Sequence, residues 1–190
     1  IQFVRSTWLN RRSARPRRGW RREMVHEGGG ALMDLGAQAI DMALWTVDYP
    51  DVQRVRARTW GRAGAVETGA VVQLGLADGI AVTVELTWEL ADERDHHQLY
   101  VLGSGGTADS QPFRITRRVA TGIVDVTPPT SRRASALYAD SYRQEWAEFL
   151  RFVRGDKPIE SQTDQVVLAS VLDACYRSAD ENREIELAAS

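Results

Sequence analysis

The 190-residue sequence predicts an α+β domain: one open, mostly antiparallel sheet with helices packed on one face. Three observations carry this. Elements run strand, helix, a series of strands, then two helices, not a regular strand–helix alternation. Residues 70–88 hold two alternating apolar runs joined by Ala77-Asp78-Gly79, the chemistry of a tight antiparallel turn. The long segment after Gly30 has apolar residues at helical spacing, the mark of a helix with one buried stripe.

Taken in order, residues 2–9 (Q-F-V-R-S-T-W-L) are rich in β-branched and aromatic side chains and predict a strand. The loop after it, residues 10–22, is broken by Pro16 and Gly19 and crowded with arginine. Gly28-Gly29-Gly30 then frees the backbone, and a helix follows to about Asp48-Tyr49-Pro50. Its inward stripe is Leu32, Leu35, Gly36, Ala39, Ile40, Ala43, Leu44 and Val47. Gly36 within that stripe predicts close approach to another backbone. A second face carries Asp34, Gln38, Asp41 and Trp45, so Asp34 and Gln38 sit one turn apart and can touch one ligand.

Residues 52–60 alternate Val55, Ala57 and Thr59 with arginines and predict a second strand. The hairpin arms follow, with Ala70, Val72, Leu74 and Leu76 on one and Ile80, Val82, Val84, Leu86 and Trp88 on the other. Residues 97–102 predict a further strand, ended by Gly103-Ser104-Gly105-Gly106, and residues 112–118 and 122–127 predict weaker ones. Tyr138, Tyr142, Trp146, Phe149 and Val153 set the rhythm of a helix stopped by Gly155 and Pro158. Val167, Leu168, Val171, Leu172 and Cys175 set that of the last helix, and residues 185–187 predict an edge strand.

Composition narrows the function. The apolar fraction of 43% suits a globular domain, and the net charge of −2 gives no global attraction to nucleic acid or membrane. Of 24 basic residues only Lys157 is lysine, a bias that fits a GC-rich genome. The one cysteine, Cys175, lies on an apolar helix face as a buried thiol, and no internal disulfide is available. No run reaches the roughly 18 apolar residues of a membrane span, so a cytoplasmic protein is expected. The chain opens on Ile1 in a strand-like segment, which predicts a piece of a longer polypeptide.

The candidate chemistry is sparse. Asp34 stands early in its helix, where the macrodipole favours a carboxylate. Arg11, Arg12, Arg15, Arg17, Arg18, Arg21 and Arg22, with Trp20, form a basic loop that suits an anionic ligand, since arginine grips carboxylate and phosphate bidentately. His96 and His97 are adjacent and point to opposite faces of a strand, so with His26 they make no metal site. Gly103-Ser104-Gly105-Gly106 follows a strand without opening a helix and is a turn, not a phosphate cradle. There is no G-x-G-x-x-G, so this chain alone is not expected to bind NAD(P).

The stretch Gly28–Trp45, G-G-G-A-L-M-D-L-G-A-Q-A-I-D-M-A-L-W, resembles the start of the C-terminal domain of the Gfo/Idh/MocA oxidoreductases. So does the tail, in E-W-A-E-F-L-R-F-V-R-G-D-K-P from Glu145 and in C-Y-R-S-A from Cys175. The resemblance implies that residues 1–190 are the substrate-binding and oligomerisation domain, with an N-terminal Rossmann domain absent from this chain. It implies an NAD(P)-dependent dehydrogenase, its NAD or NADP held mainly by that domain, acting on a hydroxyl or carbonyl of a sugar, cyclitol or related small molecule. It assigns Asp34 and Gln38 to the catalytic crevice, and Asn10, Arg11 and Trp20 to the pocket rim. The open sheet face would pair subunits into a homo-oligomer. The family's pattern places His where this chain has Gln38. Glutamine donates and accepts hydrogen bonds but cannot exchange a proton near neutrality. The resemblance implies that a lysine of the Rossmann domain, outside this chain, also takes part in proton transfer; the alternative is a non-catalytic binding or scaffold protein that kept the fold.

Overall fold

The computed structural model describes residues 1–11, 28–62, 64–129, 134–158 and 163–188. They build β1 (Phe3–Arg11), a π-helical turn (Leu32–Gly36) running into α1 (Ala37–Trp45), β2 (Val52–Trp60), β3 (Gly69–Leu76) and β4 (Ala81–Leu90). There follow β5 (His96–Gly103), β6 (Gly106–Ser110), β7 (Phe113–Val119), β8 (Gly122–Asp125), α2 (Ala134–Arg154), α3 (Thr163–Glu181) and β9 (Ile185–Glu186). The chain divides into two compact units, residues 1–127 with 165–190, and residues 128–164.

The larger unit is a single nine-stranded sheet in the order β8-β7-β6-β5-β1-β4-β3-β2-β9. Adjacent strands are antiparallel except β1 and β4, which run parallel at its centre. The β3–β4 turn forms as its residues dictate. Gly79 takes a φ of 82°, its N–H donates to Leu76 O at 3.0 Å, and Asp78 Oδ1 accepts from Ile80 N at 3.2 Å.

The π-helical turn, α1 and α3 cover one face. Leu32, Ile40, Ala43 and Leu44 pack with Val4, Val72, Val82, Val84 and Leu86 of the sheet and with Val171, Leu172 and Cys175 of α3 in one buried cluster. Each large side chain fully buried there contributes about 1.5–3 kcal/mol. The helical spacing of these residues and the period-2 alternation of the strands meet on the same surface. Ser178 is buried but satisfied: its hydroxyl donates to Arg183 O at 2.6 Å and accepts from Ala57 N at 2.9 Å, tying α3 to β2.

Three expectations change. Gly36 does not meet another backbone. A Cβ there would lie 2.7 Å from Leu32 Cδ1 and 3.0 Å from Leu86 Cδ2, so the glycine makes room for leucine side chains of the core. β6 was not foreseen. Its sequence, G-T-A-D-S, has no apolar alternation, and the segment is a strand because β5 and β7 pair with it on both sides. In the smaller unit, α2 has the aromatic rhythm foreseen for it, yet Tyr138, Trp146, Phe149 and Val153 are exposed. Within α2, Tyr138 and Tyr142 meet edge to face, with hydroxyl oxygens 3.1 Å apart.

Candidate functional site

The helix carrying Asp34 and Gln38 is anchored from outside its own sequence. Its N-terminal residues supply no side-chain cap. Instead Glu67, in the β2–β3 connection, takes that role. Its Oε1 accepts from Gly30 N at 2.8 Å, from Leu32 N at 3.0 Å and from the Tyr176 hydroxyl at 2.9 Å, while its carbonyl accepts from Ala31 N at 2.9 Å. Gly30 is obligatory here, because a Cβ would lie 2.1 Å from Glu67 O. Burial, then the neighbouring Glu67 carboxylate, pushes the Tyr176 hydroxyl well above the ordinary tyrosine range, so it remains a donor.

Asp34 and Gln38 are both exposed and lie one turn apart. Gln38 Nε2 donates to Asp34 O at 3.3 Å. Asp34 Oδ2 accepts the indole N–H of Trp88 at 3.1 Å. Trp88 belongs to the buried-face series Val82, Val84, Leu86 of β4, extended past the apolar core. A π-helical turn widens the backbone at Asp34, a distortion found often at functional sites.

The sheet brings further side chains to this end. On β1, Trp8 lies across from Leu86 of β4 on one side and His97 of β5 on the other. The β1–β4 register then slips between the Leu9–Thr87 and Arg11–Leu90 pairs, setting Trp88 and Glu89 together across from Asn10. Asn10 Oδ1 lies 2.8 Å from His97 Nε2, and the imidazole packs on Trp8 with centroids 4.8 Å apart. One edge of the helix-covered face thus offers a carboxylate, two amides, an imidazole and two indole faces, a set suited to a polyhydroxylated small molecule.

Of the residues chosen from sequence, Asp34, Gln38 and Asn10 share this edge. Arg11 is turned to another task. Its backbone N–H donates to Asp95 Oδ1 at 2.7 Å, its Nη1 donates to Glu93 O at 2.9 Å, and its Nε lies 3.4 Å from Asp95, so it clamps the β4–β5 connection. The Arg11 backbone N–H and then its guanidinium hold the Asp95 carboxyl below the usual range. Trp20 and the rest of the arginine loop lie outside the described residues. His96 pairs with Asp92 at 2.8 Å. Local sequence patterns do not reveal that Trp8, Trp88, Glu67 and His97 gather beside the predicted residues. The readable signal for the tryptophans was an aromatic at the end of each apolar strand run.

A family model for the GFO/IDH/MocA C-terminal domain matches residues 1–109. The chain is 27% identical over 162 residues to D-xylose 1-dehydrogenase (NADP(+)) 2 of Haloferax volcanii, covering 84% of this chain and 48% of that protein. It spans 36% and 48% of the lengths of two curated relatives. The crystal structure of GenD2 from gentamicin A biosynthesis in complex with NAD superposes with a TM-score of 0.75 at 26% identity, over 99% of this chain and 56% of that one. Levoglucosan dehydrogenase in complex with NADH matches the fold with a TM-score of 0.81 at 20% identity, over 100% of this chain and 59% of that one.

Proposed function

The chain belongs to the Gfo/Idh/MocA oxidoreductase family through its C-terminal domain, and from that premise we propose that it is the substrate-binding half of an NAD(P)-dependent dehydrogenase. The substrate is a sugar, a cyclitol or a related small molecule presenting a hydroxyl or carbonyl. The observation that carries this is the exposed edge where Asp34, Gln38 and Asn10 gather beside Trp8 and Trp88. Asp34 accepts from a substrate hydroxyl, Gln38 and Asn10 fix neighbouring hydroxyls, and an indole face shelters the ring's apolar side.

The Gly-rich segment of this chain does not offer a dinucleotide its usual pyrophosphate seat. A Gly-rich segment precedes the π-helical turn, the place where a pyrophosphate would sit, but Glu67 carboxylate already takes the N–H groups of Gly30 and Leu32. On this reading nicotinamide chemistry, the acceptance or return of a hydride, comes from a Rossmann domain outside this chain. This chain binds and orients the substrate. The sheet face opposite the π-helical turn, α1 and α3 supports the expectation of a homo-oligomer: Arg5, Thr7, Thr83, Glu85 and Tyr100 give it a semi-polar, half-buried surface.

The test is NAD- and NADP-linked turnover by the full-length protein over a panel of pentoses, hexoses, cyclitols and sugar acids. Asp34→Ala is expected to lower kcat/KM by about 10²–10³-fold, the usual cost of a hydrogen-bonding group that acts in the transition state. An unchanged rate rejects the role given to Asp34. Gln38 favours a second reading, a binding or scaffold protein, whose signature is sugar binding with no turnover by either cofactor.

A further inference from the structure

We propose that the aromatic stripe of α2 is the surface on which the dinucleotide-binding domain of the full-length protein docks. The proposal rests on the dehydrogenase reading above, which puts such a domain in the same polypeptide.

The residues build an amphipathic helix. Tyr138, Tyr142, Trp146, Phe149 and Val153 follow one another at intervals of three or four. At about 100° per residue they fall within a sector of about 80°. Asp140, Arg143, Arg151 and Arg154 stand on the opposite side. There Arg143 pairs with Asp140, and Arg151 pairs with Glu148 at 3.2 Å. Exposed pairs of this kind add little to a helix. A helix in a protein draws most of its stability from packing its apolar face. Here that face is bare. Its five side chains are 49–66% exposed, and none of the described α2 side chains is buried.

The stripe is ordered within itself. Tyr138 and Tyr142 meet with centroids 5.1 Å apart at 74°, and Trp146 and Phe149 with centroids 5.8 Å apart at 85°. Edge-to-face pairs hold the rings in one arrangement, so less side-chain freedom is lost when a partner covers them.

Area selects the partner. Covering four aromatic side chains and a valine removes on the order of 500 Å² from this side, or about 1,000 Å² with the matching surface opposite. A contact between domains of one polypeptide buries about 600–1,500 Å², whereas an obligate homodimer buries about 2,000–5,000 Å². A tethered domain needs no larger surface, because its link holds it at a high effective concentration. The chain spans 36% and 48% of the lengths of two curated relatives, so those proteins carry more polypeptide than this sheet and its helices account for. The proposed function already gives a second copy a different surface, the sheet face bearing Arg5, Glu85 and Tyr100.

The test uses the full-length protein with the photo-reactive residue p-benzoylphenylalanine in place of Trp146 and, as a control on the charged side, of Arg143. Irradiation and peptide mapping are expected to join position 146 to the dinucleotide-binding domain of the same copy and to leave position 143 unjoined to it. Links from position 146 into residues 1–190, links between copies, or no link at all overturn the proposal. Should the group at position 146 prevent folding, the same group at Tyr142 decides. The second readout is kinetic. Trp146→Ser combined with Phe149→Ser is expected to keep the affinity for NADH or NADPH within about threefold, because the cofactor's seat lies on the other domain. It is expected to lower kcat/KM for the sugar about tenfold or more, because nicotinamide and substrate are no longer held at a fixed separation. An unaltered kcat/KM overturns the proposal. If wild-type protein turns over a sugar while position 146 links elsewhere, the proposal falls and the dehydrogenase reading stands. If it binds NADH or NADPH and turns over no sugar, the dehydrogenase reading falls and the cross-link alone decides the docking surface. If it binds neither cofactor, both fall.

Discussion

The indole nitrogen of Trp88 donates to Asp34 Oδ2 at 3.1 Å, joining the end of β4 to the first turn of the helix that faces the site. The contact helps to orient the carboxylate. Trp88→Phe keeps the aromatic bulk and removes the donor. The expected result is a fall of about tenfold in kcat/KM, in keeping with the loss of one hydrogen bond to a charged group, with thermal stability almost unchanged. Steady-state kinetics beside a melting curve separates the two effects.

Glu67 does for this helix what an N-cap residue does elsewhere, from 35 residues beyond Leu32 in sequence. Glu67→Ala strands the Gly30 and Leu32 N–H groups and the Tyr176 hydroxyl together. With each lost partner costing about 1 kcal/mol, the expected loss is about 2–4 kcal/mol. Glu67→Gln retains an acceptor oxygen and should lose less than half of that, and Tyr176→Phe about 1 kcal/mol. Urea unfolding of the three variants checks the order. Equal losses for alanine and glutamine would mean that Oε1 does not hold the helix start.

Most elements are legible in the sequence, because alternation and helical spacing are local signals. The arms meeting at Ala77-Asp78-Gly79 and the stripe from Leu32 to Val47 needed no knowledge of the rest of the chain. The site was legible only in part, for the converse reason. Asp34 and Gln38 lie on one helix face and could be paired from spacing alone. Trp88, Asn10 and His97 join them only through the order β5-β1-β4 and a one-residue slip in the β1–β4 register, and neither is written in any local pattern. Glu67 was silent because a cap supplied from a distant loop leaves no trace beside the helix it caps. β6 was silent because pairing, not side-chain character, makes it a strand.

Arg11 tests whether the arginine-rich loop begins at the pocket or before it. Its bonds to Asp95 and Glu93 point to clamping of the β4–β5 connection. The backbone N–H contact to Asp95 survives substitution, and an exposed ion pair is worth little. Arg11→Ala is therefore expected to change KM for the substrate less than about threefold. A KM raised tenfold or more, confined to anionic substrates, would return Arg11 to the pocket.

Alkaline stability follows from Cys175. The thiol is fully buried on the inner face of α3, and burial pushes it from 9.0 up to about 12. The sign follows from proton counting. Above pH 9 the unfolded chain releases this proton and the folded chain keeps it, so unfolding gains free energy with each further pH unit. Stability is complete below pH 9 and declines as pH rises towards 12, by about 1.4 kcal/mol per unit from this group, or about 4 kcal/mol at most across the window. The raised Tyr176 hydroxyl adds a decline of the same sign above pH 10. Cys175→Ala removes the thiol's share of the slope while costing some packing at neutral pH, so its urea midpoint should fall less steeply between pH 9 and 11 than that of the native chain. Parallel slopes would mean that the thiol ionises as readily in the fold as in the unfolded chain. In the same experiment a thiol reagent should label Cys175 only as fast as the protein opens, because the reactive thiolate is the form the core excludes.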